Sequence, residues 1–238
     1  MTRYVAGMLR RLLVGLCASL CACSAGGSDA AAPPAGATYD VDALGIPRFV
    51  ADNYLDLGMI EQISRFRSSA GHDYHDDFES CRSMKHYFQP KPSVDWSTLP
   101  IYAPVSGTIV LTRVETYGTQ VLVSSSAQPA FLFTIFHVNP TVPVTPGTAV
   151  SAGTQLGWHI GSQTMSDIAV GVYTPSGYKL VSWFDVMTDG LFATYAARSV
   201  VSRSAAVITR AARDADPLTC SGETFTSAGT LTNWLTLN

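Results

Sequence analysis

Between residues 101 and 184 the sequence consists of short β-forming runs separated by turns that contain Gly and Pro. The strongest run, residues 130–137 (AFLFTIFH), alternates in a way that predicts two distinct strand faces. Other predicted strands cover residues 120–124, 167–173 and 179–184. Short strands with turns of this kind predict a mainly β fold, a compact antiparallel sheet or barrel-sandwich. The two predicted faces of the strongest run carry Phe131, Phe133, Ile135 and His137 on one side, and Leu132, Thr134 and Phe136 on the other.

The flanking regions lack a clear period and predict helical and irregular extensions around this core. We expect residues 39–100 to form the N-terminal part of the folded domain and residues 101–184 to form the β core. Residues 185–198 resemble a helix interrupted near Gly190, and we expect residues 185–238 to pack on the core as a C-terminal extension.

The first 22 residues have the features of a secretion signal. Arg3, Arg10 and Arg11 precede an apolar run at residues 12–20, which is too short to span a membrane of about 30 Å. Residues 20–23 (LCAC) resemble the lipidation motif of bacterial lipoproteins, so we expect an acylated Cys23. The Ala-, Gly- and Pro-rich residues 23–38 would form a flexible tether. These features predict an extracytoplasmic, membrane-anchored lipoprotein, with Ser24 favouring the outer membrane or cell surface.

The charge balance excludes some classes of partner. Loss of the signal would remove three arginines and no acidic residue, which changes the formal net charge from −3 to −6. An acidic surface argues against nucleic acid and anionic lipid as main partners.

Two cysteines would remain free in the secreted chain. Cys17 and Cys21 lie in the signal and Cys23 is the expected lipidation site, which leaves Cys81 and Cys220. Two thiols in an oxidising compartment usually pair, so we expect a disulfide between them, with two buried free thiols as the alternative.

Three stretches of the β region resemble the lysostaphin-like (LytM-type) zinc endopeptidases, which cut peptidoglycan cross-bridges. They are residues 101–110 (IYAPVSGTIV), 133–139 (FTIFHVN) and 144–161 (VTPGTAVSAGTQLGWHIG). Their order and spacing match the family, and the resemblance implies a duplicated hybrid motif fold with a substrate groove.

The resemblance also implies which residues should form the zinc site, and this sequence departs from that pattern. Asp167 stands where the first histidine of the family's His-x-His strand belongs, and Ala169 stands where the zinc-ligating histidine belongs. In the preferred alignment of the first motif, Arg82 replaces the zinc histidine and His86 the zinc aspartate. His137 matches a family active-site residue that is not a metal ligand.

These departures predict a peptidase-like scaffold without catalytic residues or a metal ion. We expect a degenerate groove that contains Arg82, His86, His137, Asp167 and Ala169. The basic cluster of Arg82, Lys85 and His86 could pair with Asp167 or with Asp185, which would put a salt bridge where the family holds zinc. Such a module would bind peptidoglycan or an envelope protein rather than hydrolyse a substrate.

Two other functions remain open at this point. A zinc metallohydrolase with a rearranged site could use His72, Asp76, His86 and His137, because residues 72–76 contain a His-x-x-x-Asp sequence. A carrier or adaptor is the second alternative, because the strings APVSGTIV and VSAGTQLG also resemble biotinyl and lipoyl hammerhead domains. The lysine that such carriers modify is absent between those strings.

Overall fold

The computed structural model describes residues 36–238, so the predicted signal segment and Cys23 lie outside the described residues. Within this range the chain is built mainly from antiparallel strands, which confirms the predicted fold class. Four short α-helices accompany them: α1 Val41–Leu44, α2 Trp183–Val186, α3 Asp189–Ala196 and α4 Arg210–Ala215. The strands are β1 Ile60–Ser64, β2 His86–Pro90, β3 Pro100–Tyr102, β4 Gly107–Glu115, β5 Gly118–Ser125, β6 Phe131–Pro140, β7 Ala149–Val150, β8 Gln155–His159, β9 Ser166–Thr174, β10 Gly177–Val181, β11 Cys220–Ser221, β12 Thr224–Phe225 and β13 Trp234–Thr236.

One large sheet joins the N-terminal, central and C-terminal parts of the described chain. Its main path runs β13-β1-β2-β9-β6-β5-β4-β7, and β10 pairs with β9 while β8 bridges β3 and β6. Every named strand pair is antiparallel. The predicted strand at residues 167–173 is the long central strand β9, which has β6 on one side and both β2 and β10 on the other.

The two faces of β6 pack into two separate cores, as the alternation predicts. Phe131, Phe133 and Ile135 lie in the larger core with the aromatic side chains of α2. Leu132 and Phe136 lie in a smaller core on the other face of the sheet. Apolar burial on both faces fixes the register of the strand, because a slip by one residue would exchange the two cores.

The structure corrects two predicted boundaries after β9. The predicted strand 179–184 ends at Val181, because the Ser182 side chain accepts a hydrogen bond from the Phe184 amide and begins α2. The predicted helix 185–198 is interrupted at Thr188 rather than near Gly190, because Thr188 caps the N-terminus of α3.

A strand pairing and a disulfide are among the connections that join the C-terminal region to the body of the domain. Strand β13 pairs with β1 at the edge of the sheet. A disulfide joins Cys81 to Cys220 across 139 residues of sequence, as expected from the cysteine count. Over residues 36–238, no helix is both long and apolar enough to cross a bilayer.

Candidate functional site

A β-bulge places His137 on the opposite face from the one that simple alternation predicts. Val121 pairs with Ile135 and Thr119 pairs with Val138, so two residues of β6 face a single residue of β5. His137 has a φ of 61°, in the left-handed region that few non-glycine residues adopt. The bulge turns the imidazole toward Asp167 on β9, and away from the larger core that Ile135 enters.

Lys85, the residue immediately before β2, reaches the same position. Tyr87 pairs with Asp167 across the β2–β9 ladder, so their side chains share one face of the sheet. Lys85 lies two residues before Tyr87 and therefore projects to that face as well. Its ammonium lies 4.9 Å from the centre of the Tyr87 ring.

Asp167 forms ion pairs with both neighbouring cations. Its Oδ2 lies 2.5 Å from the Lys85 Nζ, and its Oδ1 lies 3.1 Å from the His137 Nε2. Neither contact has the angular geometry of a hydrogen bond, so close charge pairing is the main interaction. The side chains of Lys85 and Asp167 are 1% and 0% exposed, whereas that of His137 is 13% exposed. The network is therefore closed to solvent at the lysine and reaches the surface at the imidazole.

Aromatic rings surround the Lys85 ammonium. The Nζ lies 4.0 Å from the centre of the Phe136 ring and 5.1 Å from that of Tyr74, in addition to its contact with Tyr87. Ring faces attract a cation most strongly when the site excludes water. The aromatic rings and Asp167 together compensate for part of the cost of removing the ammonium from water.

Electrostatic pairing favours the charged forms of Asp167, Lys85 and His137. Burial alone would raise the pKa of Asp167, but the charges of Lys85 and His137 lower it below its ordinary value. Burial would likewise lower the pKa of Lys85 and of His137, but the Asp167 carboxylate raises both. Since the opposite charges outweigh desolvation in each case, pairing favours the charged form of all three groups.

Hydrogen-bond geometry identifies the Nδ1 of His137 as a donor. It lies 2.7 Å from the Tyr117 carbonyl oxygen, which can only accept. The Nε2 lies 3.1 Å from the Asp167 Oδ1 and 3.4 Å from the Thr164 hydroxyl oxygen. The charge of Asp167 raises the pKa of His137 and so favours a second proton on Nε2.

His72 contacts the network as a neutral imidazole. Its Nε2 accepts from the Lys85 Nζ at 3.2 Å, and its Nδ1 donates to the Asp73 carbonyl oxygen at 2.9 Å. Burial, followed by the charge of Lys85, lowers the pKa of His72. The histidine is thus a hydrogen-bond acceptor for the lysine rather than a second charged partner.

The structure corrects the expected position of His86. In the alternating strand β2, His86 projects to the face opposite Lys85, where its ring lies between Phe66 and Phe184. Its Nδ1 donates to the Ser64 carbonyl oxygen at 2.7 Å, and its Nε2 accepts from the Ser182 hydroxyl at 2.9 Å. Burial lowers the pKa of His86 to about 4. Lys85, not His86, is the residue that pairs with Asp167.

The remaining predicted site residues lie apart from this network. Arg82 forms ion pairs with Glu79 and Asp214. Asp76 accepts backbone hydrogen bonds from Phe78, Glu79 and Leu180, so it orders a loop. The four metal-ligand candidates His72, Asp76, His86 and His137 therefore do not converge on one point, and Asp185 does not pair with the basic cluster.

The residues of the network do not fit a zinc ion. Ala169, which occupies the ligand position of the His-x-His motif, is buried in the smaller core and carries no donor atom. The space between Asp167 and His72 contains the Lys85 ammonium, and a second cation there would be repelled. Zinc needs three protein ligands and an open position in a catalytic site, and this arrangement provides neither.

Tyr117 is a contributor that no sequence pattern assigns to the site, whereas Lys85 belongs to the basic cluster expected to pair with Asp167 or Asp185. The alternation of β2 is a sequence signal that could have placed Lys85 beside Tyr87, because the two residues are separated by one position. No local signal gives the bulge that brings the Tyr117 carbonyl to His137, because it arises from the pairing of β5 with β6.

Neither a protein-family model nor a curated protein matches this sequence. Solved structures do match it, and LytM-type and M23 peptidases are among them.

A LytM protein of Ruminococcus gnavus, assigned as a glycyl-glycine endopeptidase, is 12% identical, with a TM-score of 0.34 and coverage of 43% of each chain. Lysostaphin is 19% identical, with a TM-score of 0.31, over 49% of this chain and 52% of its own. The deep-sea M23 metalloprotease pseudoalterin is 16% identical, with a TM-score of 0.34, over 61% of this chain and 76% of its own. The match thus spans about half the length of the first two proteins. At these scores the likeness concerns the fold and says nothing about activity.

Proposed function

We propose that this chain is a non-hydrolytic binding module of the cell envelope, built on a LytM-like scaffold whose metal chemistry has been lost. The observation that carries the proposal is the buried Lys85 ammonium, 2.5 Å from Asp167 and 3.2 Å from His72. A covalently attached cation lies beside Asp167, and Ala169, which the resemblance aligns with the zinc-ligating histidine, has no donor atom in its side chain.

The contacts of His137 also argue against hydrolysis. A general base needs a free lone pair within hydrogen-bond reach of the proton that it removes. In His137 the Nδ1 donates to Tyr117, and the Nε2 lies 3.1 Å from Asp167, whose charge favours the protonated ring. Lys85 is no better suited, because its raised pKa keeps it in the ammonium form, which has no lone pair.

The surface beside His137 offers contacts for a ligand. The Tyr117 side chain is 48% exposed on the turn between β4 and β5, and the carbonyl of the same residue accepts from the imidazole. Aromatic side chains of this kind supply apolar area and a hydroxyl for contacts with sugars and peptides. The ligand we propose is peptidoglycan, which presents both, and an envelope protein is the alternative partner.

The N-terminal features complete the proposal, although they lie outside the described residues. Acylation at Cys23 would anchor the chain on the extracytoplasmic side of a membrane. The segment of residues 24–35 would then provide the distance from the membrane to the cell wall, since Ala37 already packs against the larger core.

Co-sedimentation with purified, protein-free peptidoglycan tests the proposal directly. The full chain in mild detergent should pellet with peptidoglycan and release no soluble fragments, with or without added zinc. Substitution Tyr117→Ala should weaken binding, whereas Val114→Ala, at an 82% exposed position on the same hairpin, serves as the matched control. Zinc-dependent release of fragments would refute the absence of hydrolysis. Failure to pellet would refute peptidoglycan as the ligand.

A further inference from the structure

A second site lies in a cleft away from the Lys85 network. The cleft has a volume of about 620 Å³ and lies between α2, α3 and the 3-10 turn at Arg203–Ala206. Its walls combine charged and apolar side chains, among them Arg48, Asp185, Asp189, Phe192, Val201 and Arg203.

The arginines of this cleft already have partners. Arg48 and Arg203 both contact the Oδ1 of Asp189, at 3.0 and 2.8 Å. Arg203 also donates to the backbone carbonyls of Phe184 and Thr188, and its guanidinium stacks 4.5 Å from the centre of the Phe192 ring. Asp189 and the backbone carbonyls are thus the hydrogen-bond and ion-pair partners of the two guanidinium groups.

Asp185 has no such partner. Within the described chain, no residue donates a hydrogen bond to its carboxylate or forms an ion pair with it, although it is half-buried and lines the cleft. Burial raises the pKa of Asp185, and the more distant charges of Arg203, Arg67 and Arg48 only partly oppose this effect. An ionised carboxylate in this position lowers stability, because it loses water without gaining a donor.

We propose that this cleft binds a primary ammonium group on an aliphatic stem, with the Asp185 carboxylate as its acceptor. An ammonium supplies the missing charge-assisted hydrogen bond, which is stronger than a bond from a neutral donor. The stem would lie along Val201, which is 86% exposed and lines the same cleft. Lysine-type side chains and simple alkyl amines have this chemistry. The site is independent of the Lys85 network and of the function proposed for it.

Titration calorimetry with a matched pair of probes tests this site. Nα-acetyl-lysine amide carries the ammonium, and Nα-acetyl-norleucine amide has a similar stem without it. The full chain should bind the first probe saturably and the second at least tenfold more weakly. Substitution Asp185→Asn should weaken binding of the lysine probe at least tenfold. Asp42→Asn, which removes an exposed carboxylate paired with Lys179, should leave binding unchanged.

Thermal unfolding distinguishes a ligand-binding role from a structural one. Since Asp185 has no partner to lose, Asp185→Asn and Asp185→Ser should both fold and melt at or above the temperature of the unsubstituted chain. Equal binding of the two probes, no binding of the lysine probe, or unchanged binding by Asp185→Asn would overturn the proposal. A clear loss of thermal stability in both variants would also overturn it, since Asp185 would then be structural.

Discussion

Removing the Lys85 ammonium should destabilise the domain by leaving Asp167 as a buried charge with one partner fewer. The substitution Lys85→Met retains most of the aliphatic length of the side chain, and therefore its contacts with the surrounding rings. What is lost is the charge that lies 2.5 Å from Asp167.

The burial of the pair decides the expected magnitude. Exposed ion pairs contribute about 0–1 kcal/mol, whereas breaking a buried pair costs about 3–5 kcal/mol. Lys85 and Asp167 are 1% and 0% exposed, so the buried case applies. His137 remains 3.1 Å from Asp167 and still compensates part of the charge of the buried carboxylate. We therefore expect a loss of stability at the lower end of that range, about 3 kcal/mol. For a domain of this size that loss corresponds to a decrease in Tm of about 6–12 °C.

Urea unfolding of four variants measures the coupling between the two residues. Asp167→Asn should cost much less in the Lys85→Met background than in the unsubstituted chain, because the buried charge is already unpaired there. Lys179→Met is the matched control, since it removes an ammonium paired with the exposed Asp42 and should change the free energy of unfolding by less than about 1 kcal/mol. The reasoning is refuted if Lys85→Met changes stability no more than this control, or if the effects at Lys85 and Asp167 are simply additive.

Two further predictions concern groups outside the network. His86 has a folded-state pKa of about 4, below its ordinary value, so the stability that it contributes is present above about pH 6.5 and is lost as the pH falls toward 4. His86→Gln should reduce this acid-induced loss by about 3 kcal/mol, measured by urea unfolding at pH 7 and pH 4, and an unchanged loss would show that His86 is not responsible. Replacing Cys81 and Cys220 together by Ser should lower the free energy of unfolding by about 2–5 kcal/mol, measured in urea without reductant, and equal stability would contradict a stabilising disulfide.

The fold class and the two faces of β6 follow from patterns that are local in the sequence. Alternation with period two specifies which residues share a face, and Gly and Pro mark the turns. The cysteine pair could also be inferred, because only two thiols remain after the N-terminal segment is set aside.

The composition of the site depends on features that are not local. The His137 side chain lies on the face of the sheet that carries the smaller core only because of the β-bulge. Between the pairs Val121–Ile135 and Thr119–Val138, β6 has one residue more than β5. The register between β2 and β9 makes Lys85, rather than His86, the partner of Asp167. A shift of one residue in that register would invert the result, which explains why an alignment of motifs placed His86 in the groove.

The stability of the network and the proposed absence of hydrolysis have the same physical origin. A lysine ammonium supplies the positive charge beside Asp167 without the open coordination position that activates water. Its cost of burial is offset by a carboxylate, a neutral histidine and three aromatic rings. Ala169 contributes a methyl group at the position where coordination would need a donor.

Zinc content of the full chain is the most direct test of this account. The protein should be equilibrated with a small excess of zinc, passed through a desalting column and analysed for bound metal by atomic spectroscopy. The account predicts no stoichiometric zinc in the folded chain, because the Lys85 ammonium already occupies the space beside Asp167. About one zinc ion per chain, removable by a chelator and lost on substitution of His137 or Asp167, would contradict it.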